Sequence, residues 1–378
     1  MRRIRKRRSL PLLPLLISLV VVLVLVNVAV LVTRPADRPN ASERRSGALA
    51  VTAAEGAADT RPATRKASPS AQGIQSSKPR FGAFVGTDSK NAAAFEKWLG
   101  RPVQDVVDFL HRDQWSDISD PQYLLDEWKD TGYRLIFAVP MLPDALLPTK
   151  ERAMRNGADG EYDRYFTELA ENLVANGQED AVLRIGWEFN LKSWAWGIKD
   201  HDVFVRFFRR VVTAMRSVRG QRFDINWNPN NGFNPYDAVN YWPGNAYVDS
   251  VGVDAYDVDR HQYPYPKNCS KVCREQRQQT AWDEAIYGGP RGLSFWAFFA
   301  QKHHKPFSLP EWSMWDRFDG TGGGDDPLFL SQMHYFIHAP ANNVSFAAYF
   351  NLNSPDGHHA IQKYFPIGAK RFRELFGT

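Results

Sequence analysis

The first 80 residues of this 378-residue chain contain no phenylalanine, tryptophan or tyrosine. All 24 Phe, 12 Trp and 14 Tyr lie beyond Arg80. A segment without aromatic side chains has little with which to anchor a core, so the folded part is expected over residues 80–378. Cysteine is nearly absent as well, with Cys269 and Cys273 the only two. That number excludes a fold stapled by several disulfides and a four-cysteine metal centre. The chain also lacks a phosphate-binding loop: Gly320–Asp326 is glycine-rich but has no Lys-Ser/Thr after it, and reads as a flexible loop over a cleft. No GxSxG or Ser-His-Asp arrangement is present, and nothing calls for a cofactor.

Charge divides as aromatic content does. Up to Arg80 there are 15 Lys and Arg against 4 Asp and Glu; beyond it the balance reverses, to 32 against 38. The pI near 9.0 therefore belongs to the N-terminal segment. A nucleic-acid partner needs a basic patch on the folded part, and this composition argues against one.

Residues 1–9 carry Arg2, Arg3, Arg5, Lys6, Arg7 and Arg8. From Leu10 to Thr33 the chain is apolar except for Ser18 and Asn27. A helix of that length spans about 36 Å at 1.5 Å per residue, more than a hydrocarbon core of about 30 Å. It exceeds the apolar part of a cleavable signal peptide, and Val32-Thr33-Arg34 is a poor cleavage site. Residues 10–33 are thus expected to be an uncleaved transmembrane signal anchor, with the basic end cytoplasmic and the remainder outside. Secretion after cleavage is the alternative. Residues 34–79, rich in Ala, Ser, Thr, Pro and Arg, read as a disordered linker. In an exported chain the close spacing of Cys269 and Cys273 favours a small loop disulfide between them. A metal site is disfavoured because no further Cys or His cluster lies nearby.

Beyond Arg80, short β-branched or aromatic runs alternate with helical patterns, the signature of a parallel α/β sheet. Strands are expected at Phe81–Gly86, Val103–Leu110, Arg134–Met141, Ala181–Asn190, Phe223–Asn230, Ser250–Tyr256, Pro306–Trp312 and Ser345–Asn351. Helices are expected at Glu161–Asn176 and at His201–Val218, where Val203, Phe207, Val211, Met215 and Val218 recur at helical steps. Eight strands in about 300 residues fit a (β/α)8 TIM barrel.

In such a barrel the C-terminal strand ends carry the chemistry. Here they read Trp187-Glu188-Phe189-Asn190, Asn226-Trp227-Asn228, Asp254-Ala255-Tyr256 and Pro310-Glu311-Trp312. Amides and acids suit sugar hydroxyls, and flat rings suit sugar faces. Glycoside hydrolysis needs two carboxyl groups about one scissile bond, and Glu188 and Glu311 end the fourth and seventh expected strands. One strand-end glutamate can equally be a rim ion pair. Two of them within apolar strand sequence, where an unpaired charge is costly, point to a site. Asn190, Trp194, Trp227 and Asn228 fit a subsite lining, though core packing accounts for each taken alone. Arg184 alternates onto the side of Glu188 and could fix one of the glutamates or form a structural ion pair. Trp115 and Asp113 follow the second strand and could reach a distal sugar, and Asp325-Asp326 could hold calcium or simply solvate a loop.

The segments RIGWEFN, WAWG, VDAYD and LPEW, in this order and spacing, resemble glycoside hydrolase family 26, a family of retaining barrels best known for β-mannanases. The resemblance extends over the domain through a few strand ends. It implies an acid/base at Glu188, a nucleophile at Glu311, a tyrosine bonding that nucleophile at Tyr256, and a sugar-stacking ring at Trp196. Trp187, Asn190, Trp227, Asn228 and Trp312 complete the expected substrate contacts. Two positions depart from the mannanase pattern: Trp187 stands where those enzymes place His, and Leu191 where they place Gly. The inner subsites therefore differ, while the glutamate pair is intact. Repulsion from Glu311 and an apolar shell of Trp187, Phe189 and Trp312 should raise the pKa of Glu188. The expected ligand is a β-linked polysaccharide, with a membrane-anchored glycan-binding barrel as the alternative and a monomer as the default.

Overall fold

The computed structural model describes residues 78–377. The basic segment 1–9, the apolar stretch 10–33 and all but the end of the 34–79 linker lie outside the described residues. Among the described residues, no helix is long and apolar enough to cross a membrane.

Eight parallel strands close into a barrel: β1 (Arg80–Phe84), β2 (Asp105–Phe109), β3 (Arg134–Val139), β4 (Val182–Ile185), β5 (Asp224–Trp227), β6 (Ser250–Gly252), β7 (Phe307–Ser313) and β8 (Val344–Phe350). Each pairs with the next, β8 pairs with both β7 and β1, and the sheet has no open edge. A two-residue strand, Ala255–Tyr256, adds to the end of β7 through Trp312 and Ser313.

Alternation along the strands separates two faces. Phe84, Val107, Ile136, Val182, Phe346, Ala348 and Phe350 pack together inside the barrel. Their neighbours Ala83, Val106, Leu135, Leu183, Val251 and Ala347 join the larger cluster under the helices. The opposite wall of the lumen is polar: Asn226 donates to Ser250 Oγ at 2.8 Å and to Ser308 Oγ at 2.9 Å. Gly252 is required there, because a Cβ on it would stand 2.2 Å from Asn226 Oδ1. At the N-terminal end the buried carboxylate of Asp105 is held by Arg80 and Arg134, which compensates a charge removed from water.

One interruption of the alternation matters for the site. Between β7 and β8 the pairing steps from Leu309↔Ala347 to Trp312↔Tyr349, so β7 carries one extra residue against its partner. A bulge of this kind re-aims side chains. Ser308 and Glu311 both reach the interior, three positions apart, while Trp312 turns outward.

Several strands end earlier than the sequence pattern indicates. The fourth strand, expected to Asn190, stops at Ile185 because Gly186 (φ +57°) and Glu188 (φ +50°) take left-handed conformations that leave the ladder. The fifth, expected to Asn230, stops at Trp227 before Asn228-Pro229, where proline has no N–H to donate. The helices are close to expectation: Asp163–Ala175, and His201–Arg216, opened by Asp200 accepting from Val203 N at 3.1 Å. The disulfide Cys269–Cys273 sits at the start of the helix Lys271–Ala281, with Cα atoms 5.3 Å apart.

Phe207, on the inner face of the His201–Arg216 helix, is completely buried beneath Gly157, Tyr162 and Phe166. Phe207→Ala is expected to lower unfolding free energy by about 3–5 kcal/mol, read from the urea midpoint of residues 78–378. A shift under 1 kcal/mol would mean that this layer repacks freely.

Candidate active site

The C-terminal rim is built around Arg184, which is wholly buried on β4. Its Nη2 donates to Glu311 on β7 and, at 2.7 Å, to Asp254 after β6. Its Nε donates to Asn228 Oδ1 at 2.6 Å. One guanidinium thus links β4, β5, β6 and β7. Glu311 receives a second donor, the Tyr256 hydroxyl, at 2.5 Å. Burial first, then the charge of Glu311, pushes the Tyr256 pKa well above its ordinary value, so the hydroxyl keeps its proton and donates. Burial likewise raises Asp254 well above the carboxylate range, against the lowering effect of Arg184.

Glu188 stands opposite on the turn after β4. Its backbone N–H donates to Asn228 O at 2.7 Å, fixing the left-handed residue to β5. Non-glycine residues in this region carry strain that the surroundings must hold. Its carboxyl accepts from Asn230 Nδ2 at 2.6 Å and from Trp194 Nε1 at 3.3 Å. Burial, followed by the charge of Glu311, raises its pKa to about 7; the Asn230 bond, Arg184 and the Trp194 bond oppose the shift.

The support for these two carboxyls accounts for most residues singled out in the sequence. Asn190 and Asn230 bond reciprocally, side chain to backbone, at 2.9 Å, so Asn190 holds the residue that holds Glu188. Trp187, Trp194 and Trp196 form a contiguous indole cluster, with the Trp194 and Trp196 rings 5.1 Å apart and nearly parallel. Trp196 Nε1 donates to Trp187 O at 2.8 Å. Lys150 donates to the carbonyls of Lys192, Trp194 and Gly197 and pins the loop from outside. Trp187, Trp194 and Trp196 are all buried.

Trp227 and Trp312, expected as substrate contacts, turn to the helical layer. Trp227 packs against Trp242, Trp296 and Phe299, and Trp312 against Phe329, Phe372 and Phe376. Each is the outward neighbour of an inward polar residue, Asn226 and Glu311, as strand alternation requires. Asn228 is buried as the acceptor of Arg184 and lines no open surface. Trp115 stacks on Tyr165 and belongs to the helical layer as well. Asp325 and Asp326 are engaged by backbone: Asp325 accepts from Ile367 N and Gly368 N, and Asp326 caps the helix Pro327–His338. Asn230 and Asp254 were not among the expected site residues. Both stood in the strand-end segments, and only the pairing of those ends shows what they bond.

Residues 161–273 match the model of glycosyl hydrolase family 26. That match supports an assignment to this family. It is 27% identical over 294 residues to "Endoglucanase H" of Acetivibrio thermocellus, covering 72% of this chain and 28% of that protein, so it spans little more than a quarter of that relative's length. Among solved structures, it superposes on a modular endo-beta-1,4-mannanase from Cellulomonas fimi with a TM-score of 0.55 and 15% identity, over 79% of this chain and 72% of that one. It superposes on the catalytic domain of a family 26 endo-beta-1,4-mannanase from Bacillus sp. JAMB-750 with a TM-score of 0.51 and 14% identity, over 80% and 86%. At such identities the structures speak for the barrel fold alone.

Gly186 is the pivot of the turn that presents Glu188, and a Cβ there would meet Met141 Sδ at 2.6 Å. Gly186→Ala is expected to cost about 1–3 kcal/mol of stability through left-handed strain and the clash, measured by denaturant unfolding. An unchanged midpoint would show that the turn relaxes.

Proposed function

We propose that this family 26 chain is a retaining glycoside hydrolase of a β-linked polysaccharide, β-mannan or a related β-glycan, with Glu188 as acid/base and Glu311 as nucleophile. One observation carries the reading: the two carboxyls stand close enough for the charge of Glu311 to act on Glu188, yet in opposite environments. Glu188 is buried, accepts only neutral donors, and has a pKa raised to about 7. Glu311 accepts from a guanidinium and a phenol. Environments that separate two carboxyls in this way assign acid and base roles.

In the first step protonated Glu188 gives its proton to the glycosidic oxygen while Glu311 attacks the anomeric carbon, forming a glycosyl ester and releasing the leaving sugar. In the second, Glu188 as carboxylate takes a proton from water, which attacks the same carbon and frees both sugar and Glu311 with retained configuration. Arg184 and Tyr256 hold Glu311 in one orientation, and Trp194 and Asn230 do the same for Glu188. The similar proteins include both an endoglucanase and mannanases. Together with Trp187 in the inner site, they make glucan as well as mannan a substrate to test. The basic cluster and the apolar stretch 10–33 support a single-pass anchor with the barrel outside the cell.

Purified residues 78–378 are expected to release reducing sugar from at least one of β-mannan, mixed-linkage β-glucan and xylan. Glu188→Ala should lose roughly 10²–10⁴-fold in rate, and Glu311→Ala all measurable turnover. Release that survives both substitutions would place the chemistry elsewhere. Because Glu188 must enter the reaction protonated, kcat/KM should fall about tenfold per pH unit above its pKa of about 7. The Asn230 bond favours the ionised form, so Asn230→Ala should move this alkaline limb upward; a downward shift in the pH–rate profile would contradict the assignment.

A further inference from the structure

The rim holds a cavity of about 100 Å³ between the ends of β1, β2 and β8. That is several times the roughly 10–15 Å³ that one water requires. Three phenyl rings form its inner wall. Phe84 meets Phe109 at 4.9 Å and Phe350 at 4.8 Å between centroids, and Leu352 and Pro355 close the outer side. The same wall continues into the site: Phe109 lies against Trp187 and under Arg184, and Phe350 against Tyr256. Two rings of the cavity wall are thus shared with the candidate site.

The polar side chains that line it are mostly committed to one another. Thr87 donates to Asp108, whose other oxygen accepts from Trp128 Nε1. Ser354 donates to Asp356, and Asn353 Oδ1 accepts from His359 N and Ala360 N. What remains is mostly on the donor side: the Nδ2 of Asn353 and the guanidinium of Arg112, tied to Asp144 through Nε, with the ring of His111 offering one donor and one acceptor nitrogen. A pyranose seated here would bring several hydroxyls, each a donor needing an acceptor, and burying them unpaired is costly. A small group with an apolar end and one acceptor has no such cost.

We propose that this cavity receives an O-acetyl ester on the glycan, its methyl among Phe84, Phe109 and Phe350 and its carbonyl oxygen facing Asn353 and Arg112. The proposal rests on the hydrolase reading and narrows it, to acetylated β-glycans. A pocket this apolar discriminates by the presence of a few carbon atoms, an effect of roughly tenfold in kcat/KM.

The test uses glucomannan, xylan and mixed-linkage β-glucan, each in an alkali-deacetylated form and in a form partly O-acetylated with acetic anhydride. Wild-type protein and Leu352→Trp are compared. Leu352 is 40% exposed, so the larger ring can enter the cavity mouth without disturbing a packed core. The expected result is a kcat/KM roughly tenfold higher on the acetylated form of whichever polymer is cleaved. In Leu352→Trp that preference should vanish while the rate on the deacetylated form is unchanged. Equal or slower cleavage of the acetylated form by wild type overturns the proposal, as does a Leu352→Trp that slows both forms alike. Either result leaves the hydrolase reading standing. Absence of release from all six polymers removes the hydrolase reading and this proposal together.

Discussion

Arg184 is a charge buried to zero exposure at the centre of the barrel rim, and the rim is arranged to compensate it. A guanidinium out of water is tolerated only when acceptors and an opposite charge are placed against it. Glu311, Asp254 and Asn228 supply these from three other strands or strand ends. The same contacts fix the distances between those strands' ends. Glu311 is held because Arg184 must be held, so the group proposed as nucleophile is rigid by the demands of electrostatics as well as of packing.

Glu188 depends on that arrangement indirectly. Its backbone hangs from Asn228, the residue that also accepts from Arg184, and its carboxyl is braced by Asn230 and Trp194. The left-handed backbone at Gly186 and Glu188 is stable only because these bonds over-determine it. The reward is a carboxyl lifted out of the strand ladder, dehydrated, and near enough to Glu311 to feel its charge. The cavity between β1, β2 and β8 shares Phe109 and Phe350 with this centre, which is the physical link between the proposed acetyl group and the proposed chemistry.

The division of labour among the tryptophans shows how far a rim can be read from strand-end composition. Indoles next to polar residues at strand ends look alike in one dimension. In three, alternation sends Trp227 and Trp312 out to the helices, while the loop after β4 folds Trp187, Trp194 and Trp196 into a single cluster on the inner side. Whether a residue faces inward depends on where pairing stops. The bulge in β7 and the turn at Gly186 shift that point by a residue or two, and neither has a hydrophobic-pattern signature.

By itself the sequence determined the eight-strand alternation, carried the resemblance to family 26, and singled out two strand-end glutamates, because these follow from local periodicity and short segments of fixed spacing. Tertiary structure alone decided the partners: that Arg184 reaches Glu311 across 127 positions of chain, that Asn230 and Asp254 belong to the site, and that Trp227 and Trp312 do not. The physical reason is that a hydrogen bond between strand ends depends on barrel closure and register. Those are properties of the whole sheet, and no single segment encodes them.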